Sequence, residues 1–153
     1  MKITKKSEYA LRALIKMAIN YYKGMTTTLI HGIAEQERIP QKYLERILLD
    51  LKNAGILISK RGIGGGYGLS KPPEDISLGE IIRVIEGPLK SLNYLTSNTN
   101  VEFIEGTSIG LNSVLLDVDN AISKILDNIS LQEITKRTVD LIEKKQGVSN
   151  YVI

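Results

Sequence analysis

The sequence predicts a mainly α-helical fold with a small β-hairpin, arranged as a winged helix-turn-helix followed by a long C-terminal dimerisation helix. Three observations predict this fold class. Apolar residues recur at helical spacing in three segments before residue 54, two strand-like runs flank a glycine-rich turn between residues 56 and 70, and an a/d-like apolar stripe extends from Leu111 to Ile125. Since 153 residues can bury one sizeable core, we expect one domain with an appendage.

Three helices are expected in the first third of the chain. The first spans about Ser7–Tyr22, with its first residue available as the N-cap, and the second spans Leu29–Glu37, with Thr28 as a possible cap. Pro40 restarts the chain into a third helix, which ends with Gly55 at the C′ position. The third helix is expected to bury one face, made of Tyr43, Leu44, Ile47, Leu48 and Leu51. Two short, tightly joined helices after a longer one are typical of a helix-turn-helix.

A β-hairpin and a fourth helix are expected next. The strand-like runs Ile56–Lys60 and Tyr67–Ser70 lie on either side of Arg61–Gly66, which predicts the wing. Ser77 and Glu80 have the spacing of a capping box, so a fourth helix is expected to begin there and to end at the Gly-Pro pair that follows residue 86.

The C-terminal part is expected to hold a loop and two helices. Residues 89–107 are polar and carry no clear period, whereas the apolar stripe after them requires another helix as a partner. Ser130 and Glu133 repeat the capping-box spacing and begin a final helix, which extends to about Lys145. We therefore predict three regions: a winged helix-turn-helix DNA-binding domain over 1–88, a loop with dimerisation and sensing helices over 89–145, and a mobile tail over 146–153.

The charge of the chain is divided unevenly between its two parts. Residues 1–70 hold 12 Lys and Arg against 5 Asp and Glu, a balance of +7, whereas residues 71–153 hold 8 against 12, a balance of −4, and the sum is the net +3. A basic region is the electrostatic footprint of a protein that meets phosphates, although a basic face can also be merely solvated. No apolar run reaches the ~18 residues of a membrane span and no signal peptide is evident, so we expect a cytoplasmic protein.

Several classes of chemistry are excluded or disfavoured by composition. The chain has no cysteine, which excludes disulfides, thiol catalysis and Cys-ligated zinc or iron–sulfur clusters. Glu102 and Glu105 are close in sequence, but they lie in the polar loop and are expected to be solvated. His31, the one histidine, is expected at the surface or at a helix cap rather than on a metal. We expect no enzyme, no metal site and no cofactor.

Candidate DNA-contacting residues lie on the third helix and on the wing. The exposed N-terminal part of the third helix carries Gln41, Lys42, Glu45 and Arg46. A lysine or arginine there can donate to guanine or phosphate, and the glutamate can accept from cytosine N4. Arg61 stands where the wing could enter a minor groove, and glycines let the hairpin approach DNA closely. The alternatives are a solvated helix face and a flexible turn; a phosphate-cradling nucleotide loop is disfavoured because a strand, not a helix, follows the glycines.

Three ordered motifs resemble the Rrf2 family of bacterial transcriptional regulators. They are Lys-Lys-Ser-Glu-Tyr-Ala-Leu-Arg-Ala-Leu from Lys5 to Leu14, Tyr43-Leu44-Glu45, and Arg-Gly-Ile-Gly-Gly-Gly-Tyr-Gly-Leu from Arg61 to Leu69. The resemblance covers roughly residues 1–88 closely and the rest loosely. It implies a homodimer on a pseudo-palindromic promoter sequence, most often acting as a repressor.

The resemblance also implies roles for individual residues. Lys42, Glu45 and Arg46 would face the major groove. The wing residues would sit in the minor groove, and a third group would lie near backbone phosphate. The wing set is Arg61, Gly64, Gly65, Gly66 and Tyr67, and the phosphate set is Thr4, Lys6 and Tyr9. Many members of the family carry an iron–sulfur cluster on three cysteines in the stretch that matches residues 89–109, and this sequence departs from them completely.

The C-terminal tail is the remaining candidate site. It ends in Tyr151, Val152 and Ile153, which resembles the cluster-free branch of the family that regulates cysteine metabolism and whose partner is cysteine synthase, an enzyme that accepts peptides ending in Ile. A frayed terminus, or one packed on its own dimer, is the alternative for these residues. The alternative for the whole chain is a protein-interaction module in which the winged helix is only a dimer scaffold.

Overall fold

The computed structural model describes residues 3–88 and 107–147, and it has the mainly helical architecture with one hairpin that the sequence predicts. The helices and strands, in chain order, are α1 (Lys5–Tyr22), α2 (Ile30–Glu37), α3 (Gln41–Asn53), β1 (Leu57–Lys60), β2 (Gly66–Leu69), a 3-10 turn (Pro73–Asp75), α4 (Leu78–Glu86), α5 (Thr107–Asp127) and α6 (Leu131–Gln146). The predicted tail over 146–153 lies almost entirely outside the described residues, as does most of the loop predicted over 89–107.

Helix α1 begins one turn earlier than the sequence pattern predicts. Its N-cap is Thr4, whose side chain accepts a hydrogen bond from the backbone N–H of Ser7 at 3.2 Å. The prediction of Ser7 as the cap is wrong because its hydroxyl is buried and donates instead to Glu86 at the end of α4. A polar group that is 79 residues away in the chain thus decides the role of this serine.

The turn between α2 and α3 brings the two short helices of the helix-turn-helix together. Arg38 ends α2 in the left-handed conformation, with φ of 52°, and its backbone N–H returns to carbonyls of the last turn. Pro40 then forms the N-cap of α3. The predicted Thr28 cap of α2 is wrong: Leu29 is the N-cap residue, and no side chain caps this helix.

One core joins the helix-turn-helix to α4 and to the start of α6. Leu14 of α1, Ile33 of α2, Leu48 of α3, Ile81 of α4 and Leu131 of α6 are all fully or nearly fully buried in the same cluster. Burial of each such side chain contributes about 1.5–3 kcal/mol. The core therefore fixes the orientation of α3, whose outer side remains in solvent.

The start of α6 is tied to the start of α4 by backbone pairing. Ser77 and Ser130 form an antiparallel bridge, with Leu78 N–H donating to the Ile129 carbonyl and Leu131 N–H to the Ile76 carbonyl, both at 2.8 Å. Both serines cap their helices through their side chains, as the capping-box spacing predicts.

Helix α5 presents an apolar stripe to solvent. Leu111, Val118 and Ile125 are seven residues apart, and each is exposed. These three residues belong to the a/d-like pattern of the sequence, and an exposed apolar stripe of this kind is typical of a helix that packs against a partner. Within those residues no helix has both the length and the apolar character needed to cross a membrane.

Candidate nucleic-acid interface

Helix α3 divides into a buried face and a polar outer face. The buried face is formed by Leu44, Ile47, Leu48 and Leu51. The four predicted base-facing residues all lie exposed on the other side and near its N-terminal end: Gln41, Lys42, Glu45 and Arg46. The Gln41 side-chain amide donates to a Glu45 carboxylate oxygen at 3.1 Å. Lys42 and Arg46 pair with no carboxylate among the described residues. Two cations therefore project from one turn on the exposed face of α3.

Tyr43 and Leu49 belong to the same outer surface. Together with Pro40, Lys42, Glu45 and Arg46 they line a shallow groove along α3. The prediction that Tyr43 is buried is wrong: its side chain is 38% exposed and its ring stands edge-on to that of Tyr9 on α1, with centroids 5.9 Å apart. The sequence pattern predicts no functional role for either residue, because apolar side chains at helical spacing ordinarily indicate the core.

The wing is anchored to the segment before α2. Strands β1 and β2 pair antiparallel, from Leu57 opposite Leu69 to Lys60 opposite Gly66, and Tyr67 pairs in turn with Thr28. The two hydrogen bonds of that bridge measure 2.7 and 3.0 Å. Gly66 has φ of 134°, and a Cβ on it would stand 2.4 Å from the Thr28 carbonyl oxygen. Only glycine lets the hairpin close on this segment.

The predicted wing residues differ in their exposure. Arg61 and Gly64 are exposed at the tip beside Ile63, whose side chain is fully in solvent. Gly65 is buried, and Gly66 and Tyr67 are half-buried where β2 meets Thr28. The tip can thus reach a ligand, whereas Gly65, Gly66 and Tyr67 hold the hairpin in place.

A second groove, which the sequence pattern does not predict, runs between the wing and the N terminus of α2. It is lined by Leu29, Ile30, His31, Lys52, Ser59, Lys60, Arg61, Gly66 and Tyr67. Three cations, from the end of α3 and from the wing, meet there beside a helix N terminus that no side chain caps. The first-turn N–H groups of a helix and its macrodipole favour an anion at such a position. Lys52, Lys60 and Arg61 are close in sequence, but only the fold of the hairpin against α3 shows that they line one groove.

The third predicted group lies at the start of α1, and much of it is engaged within the chain. The Thr4 hydroxyl and the buried Ser7 hydroxyl both donate to one carboxylate oxygen of Glu86, the first at 2.5 Å. These hydrogen bonds, with that of Ser7 foremost, lower the pKa of Glu86. Lys6 pairs with Asp50 of α3 at 2.8 Å. Thr4 and Lys6 therefore fix α1 against α4 and α3.

His31 and the C-terminal tail are the remaining predicted features. His31 is exposed on α2, in agreement with the prediction of a surface residue. The tail residues Tyr151, Val152 and Ile153 lie outside the described residues. No group of three or more metal-binding side chains occurs in the ranges 3–88 and 107–147, and the whole chain lacks cysteine.

Comparisons with known proteins identify the family and the fold of the chain. Residues 3–137 match the model of the Rrf2 family, described as iron-dependent transcriptional regulators. The HTH-type transcriptional regulator CymR of Bacillus subtilis is 32% identical over 138 residues, 90% of this chain and 92% of that protein. The HTH-type transcriptional regulator IscR of Aliivibrio salmonicida is 31% identical over 149 residues, 97% of this chain and 86% of that protein. The solved structure of CymR, the global cysteine regulator of B. subtilis, superimposes with a TM-score of 0.72 at 31% identity, covering 90% of this chain and 98% of that one.

Proposed function

The chain belongs to the Rrf2 family of transcriptional regulators, and on that premise we propose that it binds double-stranded promoter DNA as a homodimer and represses transcription. The observation that carries this proposal is the exposed, cationic surface that α3 and the wing form together. The relatives of this chain are transcriptional regulators and not enzymes.

Helix α3 supplies the base-reading part of the proposed interface. Lys42 and Arg46 project from its exposed N-terminal half, where a recognition helix meets base edges in the major groove. Arginine can donate two hydrogen bonds to guanine O6 and N7, and each such pair discriminates against a wrong base by about 1–3 kcal/mol. Glu45 would accept from cytosine N4, and Gln41 orients it through their shared hydrogen bond.

The groove beside the wing supplies phosphate contacts in this proposal. Lys52, Lys60 and Arg61 line it together with the uncapped N terminus of α2, so a backbone phosphate would meet three cations and a helix dipole. The exposed tip of the wing, with Arg61 and Ile63, would enter the neighbouring minor groove.

The apolar stripe of α5 favours a homodimer. Leu111, Val118 and Ile125 repeat every seven residues and are exposed, so a second copy of the helix would bury them against the same three residues of its partner. Two winged helices joined in this way would read half-sites about 34 Å apart, one turn of DNA. Sedimentation of the full chain tests the dimer, and a monomer at micromolar concentration would contradict it.

The proposal includes no iron–sulfur cluster. The family is described as iron-dependent, but this chain has no cysteine, and the described residues offer no alternative set of ligands. Its similarity to CymR, a global cysteine regulator, supports control of cysteine or sulfur metabolism instead.

The DNA-binding proposal is tested by the salt dependence and site dependence of affinity. A duplex is first selected from a random library with the full chain, and its affinity is measured by fluorescence anisotropy at rising salt. We expect affinity to fall steeply with salt, and Arg46→Ala to weaken binding about 10- to 100-fold. Arg137→Ala, which removes an exposed arginine from α6, serves as the matched control and should leave affinity unchanged. No selected duplex, or equal losses in the two variants, would refute the proposal.

Binding of cysteine synthase through Tyr151–Ile153 is a separate proposal. It follows from the resemblance of the tail alone, and it is tested by titrating the full chain and a form lacking these three residues against the enzyme, with DNA present and absent. Equal behaviour of the two forms would contradict it.

A further inference from the structure

A cavity between α1 and α6 is lined by both aliphatic and cationic side chains. Its volume is about 270 Å³, and its lining residues are Arg12, Ile15, Lys16, Ile19, Lys23, Glu37, Thr138, Val139 and Ile142. Residues 12, 15, 16 and 19 lie on one face of α1, because they are spaced by three or four along the helix, and residue 23 is the C-cap of that helix. The cavity lies away from the outer face of α3 and shares no lining residue with the two grooves described above.

The charges of the cavity favour an anion. Three of its lining residues are cations and one, Glu37, is a carboxylate. That carboxylate is already engaged, since an Arg12 guanidinium nitrogen lies 3.2 Å from it and a second one donates to the Glu37 backbone carbonyl. Lys16 is half-buried and pairs with no carboxylate of the described residues. A partly desolvated ammonium without a counter-ion gains most from an anionic ligand.

The aliphatic lining of the cavity favours an organic anion over an inorganic one. Ile15 and Ile19 of α1 and Val139 and Ile142 of α6 offer aliphatic surface that an inorganic anion could not cover. A cavity of about 270 Å³ has room for a small organic molecule and not for a large one. We propose that this cavity binds a small aliphatic carboxylate, with its tail on the isoleucines and its head group on Lys16 and Arg12.

Occupancy of the cavity has a direct route to the proposed DNA-reading helix. Arg12 lies 6.0 Å from the centre of the Tyr9 ring, and Tyr9 packs edge-on against Tyr43 of α3. Glu37, which pairs with Arg12 as Glu8 also does, is the last residue of α2, directly before the left-handed turn that leads to α3. A carboxylate that competes for Arg12 weakens both contacts, so the ligand acts as an effector that lowers DNA affinity. This regulatory step rests on the proposed function, whereas the binding step does not.

Calorimetry with hexanoate tests the binding step on the full chain without DNA. We expect saturable binding, with acetate, which lacks the tail, and hexanamide, which lacks the charge, at least about tenfold weaker. Lys16→Gln should weaken hexanoate binding about tenfold and Lys16→Arg should restore it. Lys136→Gln, an exposed position of α6 outside the cavity, is the matched control and should bind like the parent chain. No hexanoate binding, or equal affinities for Lys16→Gln and Lys136→Gln, would overturn the proposed site.

Anisotropy with the selected duplex tests the regulatory step. Saturating hexanoate is expected to raise the Kd for DNA about fivefold in the parent chain and to leave it unchanged in Lys16→Gln. Hexanoate binding without a change in DNA affinity would overturn the effector role. Failure of the chain to bind any duplex would refute the proposed function, while calorimetry would still test whether the cavity binds hexanoate.

Discussion

Gly68→Ala offers a sharp test of how the wing is attached to the helix-turn-helix. Gly68 is buried in β2, and a Cβ on it would stand 2.1 Å from the carbonyl oxygen of Thr26. Separations under 3.0 Å essentially never occur for such a contact, so β2 and the segment before α2 must move apart by at least 0.9 Å, the difference between these distances. Neither side can yield by a rotamer change, because the opposing atom belongs to the backbone.

The cost follows from the hydrogen bonds that this movement stretches. The bridge between Thr28 and Tyr67 has N–O distances of 2.7 and 3.0 Å, and the same 0.9 Å carries both past 3.5 Å. Losing two backbone hydrogen bonds at about 1 kcal/mol each lowers the free energy of unfolding by about 2 kcal/mol. For a chain of this size the Tm then falls by about 4–8 °C.

The measurement is urea unfolding followed by circular dichroism, at one fixed protein concentration because a dimer unfolds in a concentration-dependent way. Gly32→Ala is the matched control: it lies inside α2, where an added Cβ meets nothing within 4 Å, so its higher helix propensity should stabilise the protein by up to about 1 kcal/mol. The two identical substitutions are expected to have opposite signs. A Gly68→Ala protein within about 0.5 kcal/mol of the parent chain would refute the tight attachment of the wing.

Two further predictions concern the wing tip and the α1–α4 contact. Arg61→Ala should weaken affinity for the selected duplex about tenfold while leaving the unfolding free energy unchanged, because this side chain is exposed; unchanged affinity in anisotropy would remove the wing from the interface. The pKa of Glu86 is lowered by hydrogen bonds from Ser7 and Thr4, so its contribution to stability is present above the ordinary carboxyl pKa and lost as pH falls through the lowered value. Between about pH 6 and pH 3, the parent chain should therefore lose more stability than Glu86→Gln, whereas parallel unfolding curves across that range would contradict the assignment.

The sequence predicted the elements whose determinants lie within one or two turns. Ser77 and Ser130 each satisfy a backbone N–H three residues ahead, so their caps depend on nothing distant. Gly55, with φ of 81°, ends α3 for an equally local reason. Ser7 failed as a predicted cap because a carboxylate from α4 competes for its hydroxyl, and no window along the chain contains both groups.

The candidate interface also has a part that the sequence predicts and a part that it does not. The outer face of α3 could be predicted because the periodicity that buries Leu44 and Leu48 must expose Lys42 and Arg46. The groove beside the wing could not, because it requires the end of α3, the hairpin and the start of α2 to meet. The cavity between α1 and α6 is still less accessible to sequence, since its two walls are more than 100 residues apart in the chain.

At the start of α1, the residues that the resemblance identifies are present, but their contacts within the chain differ from the roles that it implies. Thr4 and Lys6 are implied to lie near phosphate, yet they hydrogen-bond to Glu86 and pair with Asp50 in the chain without DNA. The Lys6–Asp50 pair is partly exposed, and such pairs contribute at most about 1 kcal/mol, so a phosphate can displace Asp50. Thr4 is held more firmly, because its hydroxyl also caps α1 and shares the Glu86 oxygen with a buried serine. A contact of Lys6 with DNA would thus cost the protein little, whereas a contact of Thr4 would have to leave the α1–α4 junction in place.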